Sequence, residues 1–175
     1  MGSTISGAMM AQMQQQHVIT AIVENRPGVL ARVAGLFSRR GYNIESLTVS
    51  VTESADLSRM TIVVSGDHTV LEQITKQLHK LIEVMRVVDY TEIPAIEREL
   101  ALIKVNAEPR DRGEIMQIVE IFRGRIVDMS EKTFVIEVTG GEEKIDKLCG
   151  LLNPYGIREM VRTGIIAMAR GARTA

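Results

Sequence analysis

The residues of this chain that could do chemistry are arranged for binding rather than for covalent catalysis. The segment Glu24-Asn25-Arg26-Pro27-Gly28-Val29-Leu30-Ala31-Arg32-Val33 leaves an apolar run, turns on Pro-Gly and opens a helix within a few residues. A strand-to-helix turn of this kind presents unpaired backbone N–H groups at a helix start, which can receive the carboxylate of a small ligand. Gly28 permits close approach of such a ligand, because any side chain there would intrude. Downstream, Gly41-Tyr42-Asn43-Ile44-Glu45-Ser46 is a second turn feeding a second strand. Asn25 and Asn43 supply amide donors and acceptors suited to the polar groups of an amino acid. Residue chemistry alone leaves the plain reading open: Pro near a helix start and Gly at a tight turn are ordinary, and Asn43 can bond its own backbone.

Catalytic and metal-binding patterns are thin, so no catalytic residue and no metal ligand is assigned. His17, His68 and His79 fall at a strand start, a loop and a helix, without metal-ligand spacing. The sequence has no P-loop and no Gly-x-Ser-x-Gly elbow. The one cysteine, Cys149, rules out an internal disulfide framework and a Cys-based zinc site. Its helical apolar surroundings mark it as a small hydrophobe rather than a nucleophile. Arg39-Arg40-Gly41 and Arg123-Gly124-Arg125 read as helix ends, where basic residues favour the last carbonyls. Glu143 and Lys147 form an i,i+4 pair on a helix whose start carries Glu142 and Glu143.

The elements that must position the turn follow from periodicity. Residues 17–24 form a β-rich run, and Val29, Val33, Leu36 and Phe37 recur at helical spacing up to Gly41, a left-handed cap. Leu47, Val49 and Val51 alternate with polar residues, as do Met60, Ile62 and Val64 across a polar loop. Thr69 and Glu72 read as a capping box ahead of Leu71, Ile74, Leu78 and Leu81, and residues 84–88 supply a last strand. Strand, helix, strand, strand, helix, strand is the ferredoxin-like plan, which is α+β: four antiparallel strands with two helices on one face. In this plan the first turn and the start of the second strand are expected at the same edge of the sheet. Ile93-Pro94-Ala95 reads as a linker, after which the order repeats: strand 100–105, a helix ending at Gly124, strands 126–129 and 134–138, a helix through Ile145, Leu148 and Leu152, and a final strand 165–168. The expected division is a disordered leader or cloning remnant over residues 1–16, a first domain over 17–93 and a second ferredoxin-like domain over 94–175.

Composition narrows the function classes. In 175 residues the net charge is −1, which gives no field for nucleic acid. No apolar run approaches the ~20 residues of a membrane span, and the first residues lack the basic and apolar regions of a signal peptide. A single cysteine suits a reducing cytoplasm. Two βαββαβ units of this size are marginal alone, and exposed sheet edges make pairing the natural remedy.

The block from Glu24 through Gly41-Tyr42-Asn43-Ile44-Glu45-Ser46-Leu47 closely resembles the amino-terminal ACT domain of the small, regulatory subunit of acetolactate synthase (acetohydroxyacid synthase). The resemblance continues through Leu57-Ser58-Arg59-Met60-Thr61, Glu97-Arg98-Glu99-Leu100-Ala101-Leu102, Glu120-Ile121-Phe122-Arg123-Gly124-Arg125 and Arg162-Thr163-Gly164-Ile165. It implies a chain with no active site and no cofactor of its own. Such a subunit forms a homodimer through its ACT domains and binds a large catalytic subunit that carries thiamine diphosphate, Mg2+ and FAD. It activates that subunit and confers feedback inhibition by valine or a related branched-chain amino acid in the biosynthesis of valine, isoleucine and leucine. The positions matching the family's effector contacts are Asn25, Gly28 and Asn43, with neighbours Val29, Leu30 and Ile44. The alternative is a free-standing ACT-type sensor that controls another enzyme or a transcription factor; the second domain argues against it.

Overall fold

The computed structural model describes residues 15–172 and residue 174. The expectation for the leader therefore lies outside the described residues as far as residue 14. Its last two positions are corrected: Gln15 and Gln16 belong to the first strand, paired with Gly66 and Ser65.

The elements are β1 (Gln15–Glu24), α1 (Val29–Arg39), β2 (Ile44–Val51), β3 (Leu57–Gly66), α2 (His68–Leu78), β4 (Val84–Asp89), β5 (Ala95–Asn106), α3 (Arg112–Ile121), β6 (Arg125–Met129), β7 (Thr133–Gly140), α4 (Glu142–Leu152), β8 (Ile157–Arg162) and β9 (Ile166–Ala169). Among the described residues they form two compact units, one of residues 15–96 with 167–172 and 174 and the other of residues 97–166. The division falls three residues later than the sequence boundary. The last residues group with the first unit rather than the second, because β9 pairs with the start of β5 and Arg170 N–H bonds Pro94 O at 2.9 Å.

In the first unit the strand order is β2-β3-β1-β4, all antiparallel. β1 is central because its alternate residues Ile19, Ala21 and Val23 are apolar and fully buried. They meet Val33, Leu36 and Phe37 of α1 and Leu71, Ile74 and Leu78 of α2 in one core. α1 ends as expected: Gly41 takes φ 70°, with Gly41 N–H bonded to Ser38 O and Tyr42 N–H to Phe37 O. Those two bonds satisfy the last carbonyls of the helix. The start of α2 differs from expectation. Its N-cap is Asp67, whose carboxylate accepts from Val70 N–H at 2.9 Å, so Thr69 lies inside the first turn. Glu72 instead pairs with Lys76 at 2.6 Å.

The second unit repeats the plan in the order β6-β7-β5-β8. Ala101, Ile103 and Val105 of β5 pack with Phe134, Ile136 and Val138 of β7 under Ile115, Ile145 and Leu148. The strand beside β5 is β8, which the sequence reading passed over. Its residues Arg158, Glu159 and Arg162 hide the alternation, and most of the strand is exposed. The expected last strand is instead the short β9. At the end of α3 the left-handed residue is Arg123, at φ 52°, and not Gly124. Gly124 instead relieves crowding, since a Cβ there would stand 3.1 Å from Glu137 O and 3.2 Å from Val119 Cγ1, tighter than most side chains sit.

β8 is tied to the core by charge. Arg162 donates to both carboxylate oxygens of the buried Glu99 and, through Nη1, to Asp146 at 2.7 Å. The Glu99 hydrogen bond is the main cause that pushes the Arg162 guanidinium further above its usual range. Removing one partner of such a pair strands a buried charge. Arg162→Ala is therefore expected to destabilise the chain by about 3–5 kcal/mol in urea unfolding, with Arg162→Lys intermediate because it lacks the planar fork. Asp67→Ala, which removes a helix cap, is expected to cost about 1 kcal/mol in the same assay.

Candidate functional site

The turn between β1 and α1 is built by backbone bonds on both sides. Glu24 N–H bonds Glu83 O at 2.9 Å and Asn25 N–H bonds Asp56 O at 2.8 Å. The Asn25 side chain adds a third tie, its Nδ2 donating to Ala55 O at 2.8 Å in the β2–β3 loop. Gly28 is the N-cap of α1, at φ 88° and ψ −15°, with no side-chain cap on the helix. A non-glycine residue is strained at that φ. A Cβ built on Gly28 meets no atom of the chain within 4 Å, so within the chain conformation rather than crowding calls for glycine, and the space beside the turn is open. Arg32 N–H closes back on Gly28 O at 3.0 Å. The N–H groups of Leu30 and Ala31 belong to the first turn and have no intrahelical acceptor. Val29 is buried beneath the turn, whereas Leu30 is 45% exposed and faces outward.

Charge surrounds the turn. Arg26 Nε pairs with Glu24 at 2.6 Å, Arg26 Nη2 lies 3.7 Å from Glu83, and Arg32 Nη1 also pairs with Glu83. Glu83 is buried, so its charge is held by the two guanidinium groups rather than by water. Arg26, Pro27, Gly28, Val29, Arg32 and Glu83 line a concavity of about 260 Å³. Sequence reasoning missed Arg32 and Glu83 as partners. They stand 51 residues apart, Arg32 reads as an ordinary polar helix position, and only the return of β4 beside β1 joins them.

Asn43 and Ile44 are elsewhere. Ile44 pairs with Val64 and Glu24 pairs with Leu57, positions seven residues apart along β3, or about 23 Å at the rise of a strand. The start of β2 therefore lies at the opposite end of the sheet from Asn25 and Gly28, and the expectation of a shared edge is corrected. The reason is topological: α1 carries the chain back along the sheet before β2 begins. Asn43 is exposed and donates to Glu45 Oε1 at 3.3 Å, and Ile44 packs on the core. Within one chain the structure brings together Asn25, Gly28, Val29 and Leu30, and it does not bring Asn43 and Ile44 to them.

Other candidates have structural roles. His17 is buried, with Nε2 donating to Gly66 O at 3.1 Å. Cys149 is half-buried in α4 and donates to Met160 Sδ at 3.4 Å. Burial pushes its thiol above the ordinary value, the opposite of an activated nucleophile. No group of three or more His, Cys, Asp or Glu residues placed to hold a metal occurs among the described residues, and no helix among them is long and apolar enough to cross a membrane.

Comparison with known proteins places this geometry. Residues 19–86 match the family model of the acetohydroxyacid synthase small subunit-like ACT domain, and residues 98–171 match the model of the small subunit of acetolactate synthase. A probable acetolactate synthase small subunit from Archaeoglobus fulgidus is 60% identical over 89% of this chain and 98% of its own length. The acetolactate synthase small subunit of Mycolicibacterium smegmatis is 52% identical over 90% of this chain and 92% of its own. The crystal structure of the small subunit from Thermotoga maritima superposes with a TM-score of 0.82 at 45% identity, covering 91% of this chain and 99% of that one. The open glycine turn thus sits in an ACT domain followed by the domain that accompanies it in these relatives, and the chain belongs to the family of acetolactate synthase small subunits.

Proposed function

We propose that the chain is a regulatory subunit that binds the large catalytic subunit of acetolactate synthase, raises its activity and makes it sensitive to a branched-chain amino acid. Thiamine diphosphate, Mg2+ and FAD would belong to the catalytic partner. The effector would lie between the ACT domains of two copies, held by Asn25, Gly28, Val29 and Leu30 of one and Asn43 and Ile44 of the other.

The observation that carries this reading is the separation of about 23 Å between the two halves of the residue set, estimated from the strand rise. One amino acid cannot span it. A two-fold axis resolves the mismatch. β2 is an edge strand, and its Val49 and Val51 are 41% and 53% exposed. Antiparallel pairing of two β2 edges places the start of β2 from one copy beside the far end of the sheet in the other, where the Gly28 turn is found. Such a dimer also removes an unpaired edge. At the turn, the N–H groups of the first helical turn suit a carboxylate, and the exposed Leu30 offers apolar contact to an alkyl side chain. The effector then acts only through its differential affinity for active and inhibited assemblies, a coupling of about 1–3 kcal/mol in typical cases. Pocket contacts of this kind separate valine from leucine or isoleucine by only about 1–3 kcal/mol per methylene.

Mixing the chain with its cognate catalytic subunit is expected to raise acetolactate formation, while the chain alone forms none; an unchanged rate on mixing sinks the assignment. A complementation assay tests the shared site. Gly28→Asp and Asn43→Ala copies are each expected to abolish inhibition by valine while activation persists. Dimers formed by mixing the two variants regain inhibition, because one of their two sites is intact. If the mixture stays insensitive, the site does not span two copies.

A further inference from the structure

We propose that the first unit holds a second small-molecule site, unrelated to the glycine turn, that takes a small carboxylate with a short apolar chain and no positive charge. The site is a cavity of about 350 Å³ lined by Arg86, Val88 and Tyr90 of β4 and its extension, Ile93 of the following segment, and Ala169 and Thr174. Its size falls at the lower end of small-molecule pockets, about 300–1,000 Å³.

The feature that points to a guest is the hydroxyl of Tyr90, which is buried at the cavity and lacks a partner. Thr20, on the same face of the sheet but outside the cavity's lining, carries the other orphaned hydroxyl. Among the described residues, the buried side-chain oxygens and nitrogens without a hydrogen-bond partner are Thr20 Oγ1 and Tyr90 Oη. Both belong to the face of the sheet turned away from the helices. Thr20 stands directly across from Val88, and residues directly opposite in an antiparallel pair share a face. Tyr90 follows two positions after Val88, its N–H bonded to Val18 O at 2.9 Å, and its side chain lines the cavity. Folded proteins rarely leave buried hydroxyls unmet, because each then bears its whole desolvation penalty. Arg86, exposed on β4 and without an ion pair among the described residues, supplies a cation at the same cavity.

The lining selects the guest's chemistry. A guanidinium group and hydroxyl donors favour an oxyanion. Val88, Ile93 and Ala169 make an apolar wall, which water or an inorganic anion would leave unsatisfied and a short alkyl chain would cover. Among the described residues none of the lining side chains is an acid, so the ammonium group of an amino acid would find no side-chain counter-charge among them. A simple, 2-oxo or 2-hydroxy carboxylate fits this set better than a zwitterion does. The location also separates it from the glycine turn. Val84, at the start of β4, pairs with Val23 beside that turn, whereas the cavity runs from Arg86, across from Ile22, to Tyr90 at the Val18 end of β1, and shares no lining residue with the concavity at the turn.

The test uses the purified full chain and sodium isobutyrate as the probe, with valine and sodium sulfate as comparison arms at matched ionic strength. Binding is read from ring-labelled tyrosine NMR signals of Tyr90 and from thermal unfolding. Isobutyrate is expected to shift the Tyr90 signals saturably and to raise the melting temperature. Arg86→Gln should weaken binding about tenfold or more, in line with loss of a charge-assisted hydrogen bond. Tyr90→Phe should weaken binding several-fold while leaving the ligand-free melting temperature equal or higher, since it deletes an unmet hydroxyl. Gly28→Asp should leave isobutyrate binding unchanged. The proposal is overturned by no saturable response at high millimolar isobutyrate, by a response that survives Arg86→Gln, or by sulfate or valine shifting the Tyr90 signals at equal or lower concentration.

Discussion

The register between β1 and β3 is the constraint on which the rest of the first unit depends. With Ile19 opposite Ile62 and Ala21 opposite Met60, the apolar residues of both strands share the face covered by α1 and α2. A slip of one residue would turn that set outward and place Thr20 and Thr61 against the helices. The same register decides where the ends of the sheet fall. It puts the glycine turn at the Leu57 end of β3 and the start of β2 at the Val64 end. A helix that must run back across the sheet to begin the next strand cannot do otherwise. The separation that points to a second copy is thus a consequence of core packing.

The glycine turn is built at small cost to the fold. Its strained residue has no side chain, its helix start is left uncapped, and its neighbours carry a balanced cluster of two acids and two guanidinium groups. Glu83 is the pivot of that cluster. Its backbone oxygen receives Glu24 N–H and its carboxylate receives Arg26 and Arg32, so the corner before β4 is coupled to the turn. Any ligand that moves the turn acts on that corner as well.

The two units solve the same topology with different fasteners. The first relies on apolar packing and backbone ties, with the buried Glu83 and its two arginines set at the glycine turn. The second, whose outer strand β8 is mostly exposed, holds that strand through Arg162 and the buried Glu99. This ion pair replaces the apolar alternation that would otherwise have marked β8 as a strand, which is why pattern reading passed it over. The end of α3 carries a similar lesson. A glycine near a helix end suggests the left-handed position, yet here Gly124 eases a close approach to a strand carbonyl, and Arg123 adopts the positive φ.

By itself the sequence determined the fold class, the two-unit repeat, most of the elements and the residues of the glycine turn. Each of these is local: helical and strand periods, turn residues and a long contiguous motif act over a few neighbouring positions. Tertiary structure alone decided that no neighbouring atom of the chain crowds Gly28, that Asp67 rather than Thr69 caps α2, and that Glu83 meets Arg26 and Arg32. It also decided that Asn43 stands at the far end of the sheet from Asn25, and that the orphaned hydroxyls of Thr20 and Tyr90 share a face with Arg86. These facts depend on which strands become neighbours and in what register. Such pairings join residues tens of positions apart, and no local period records them.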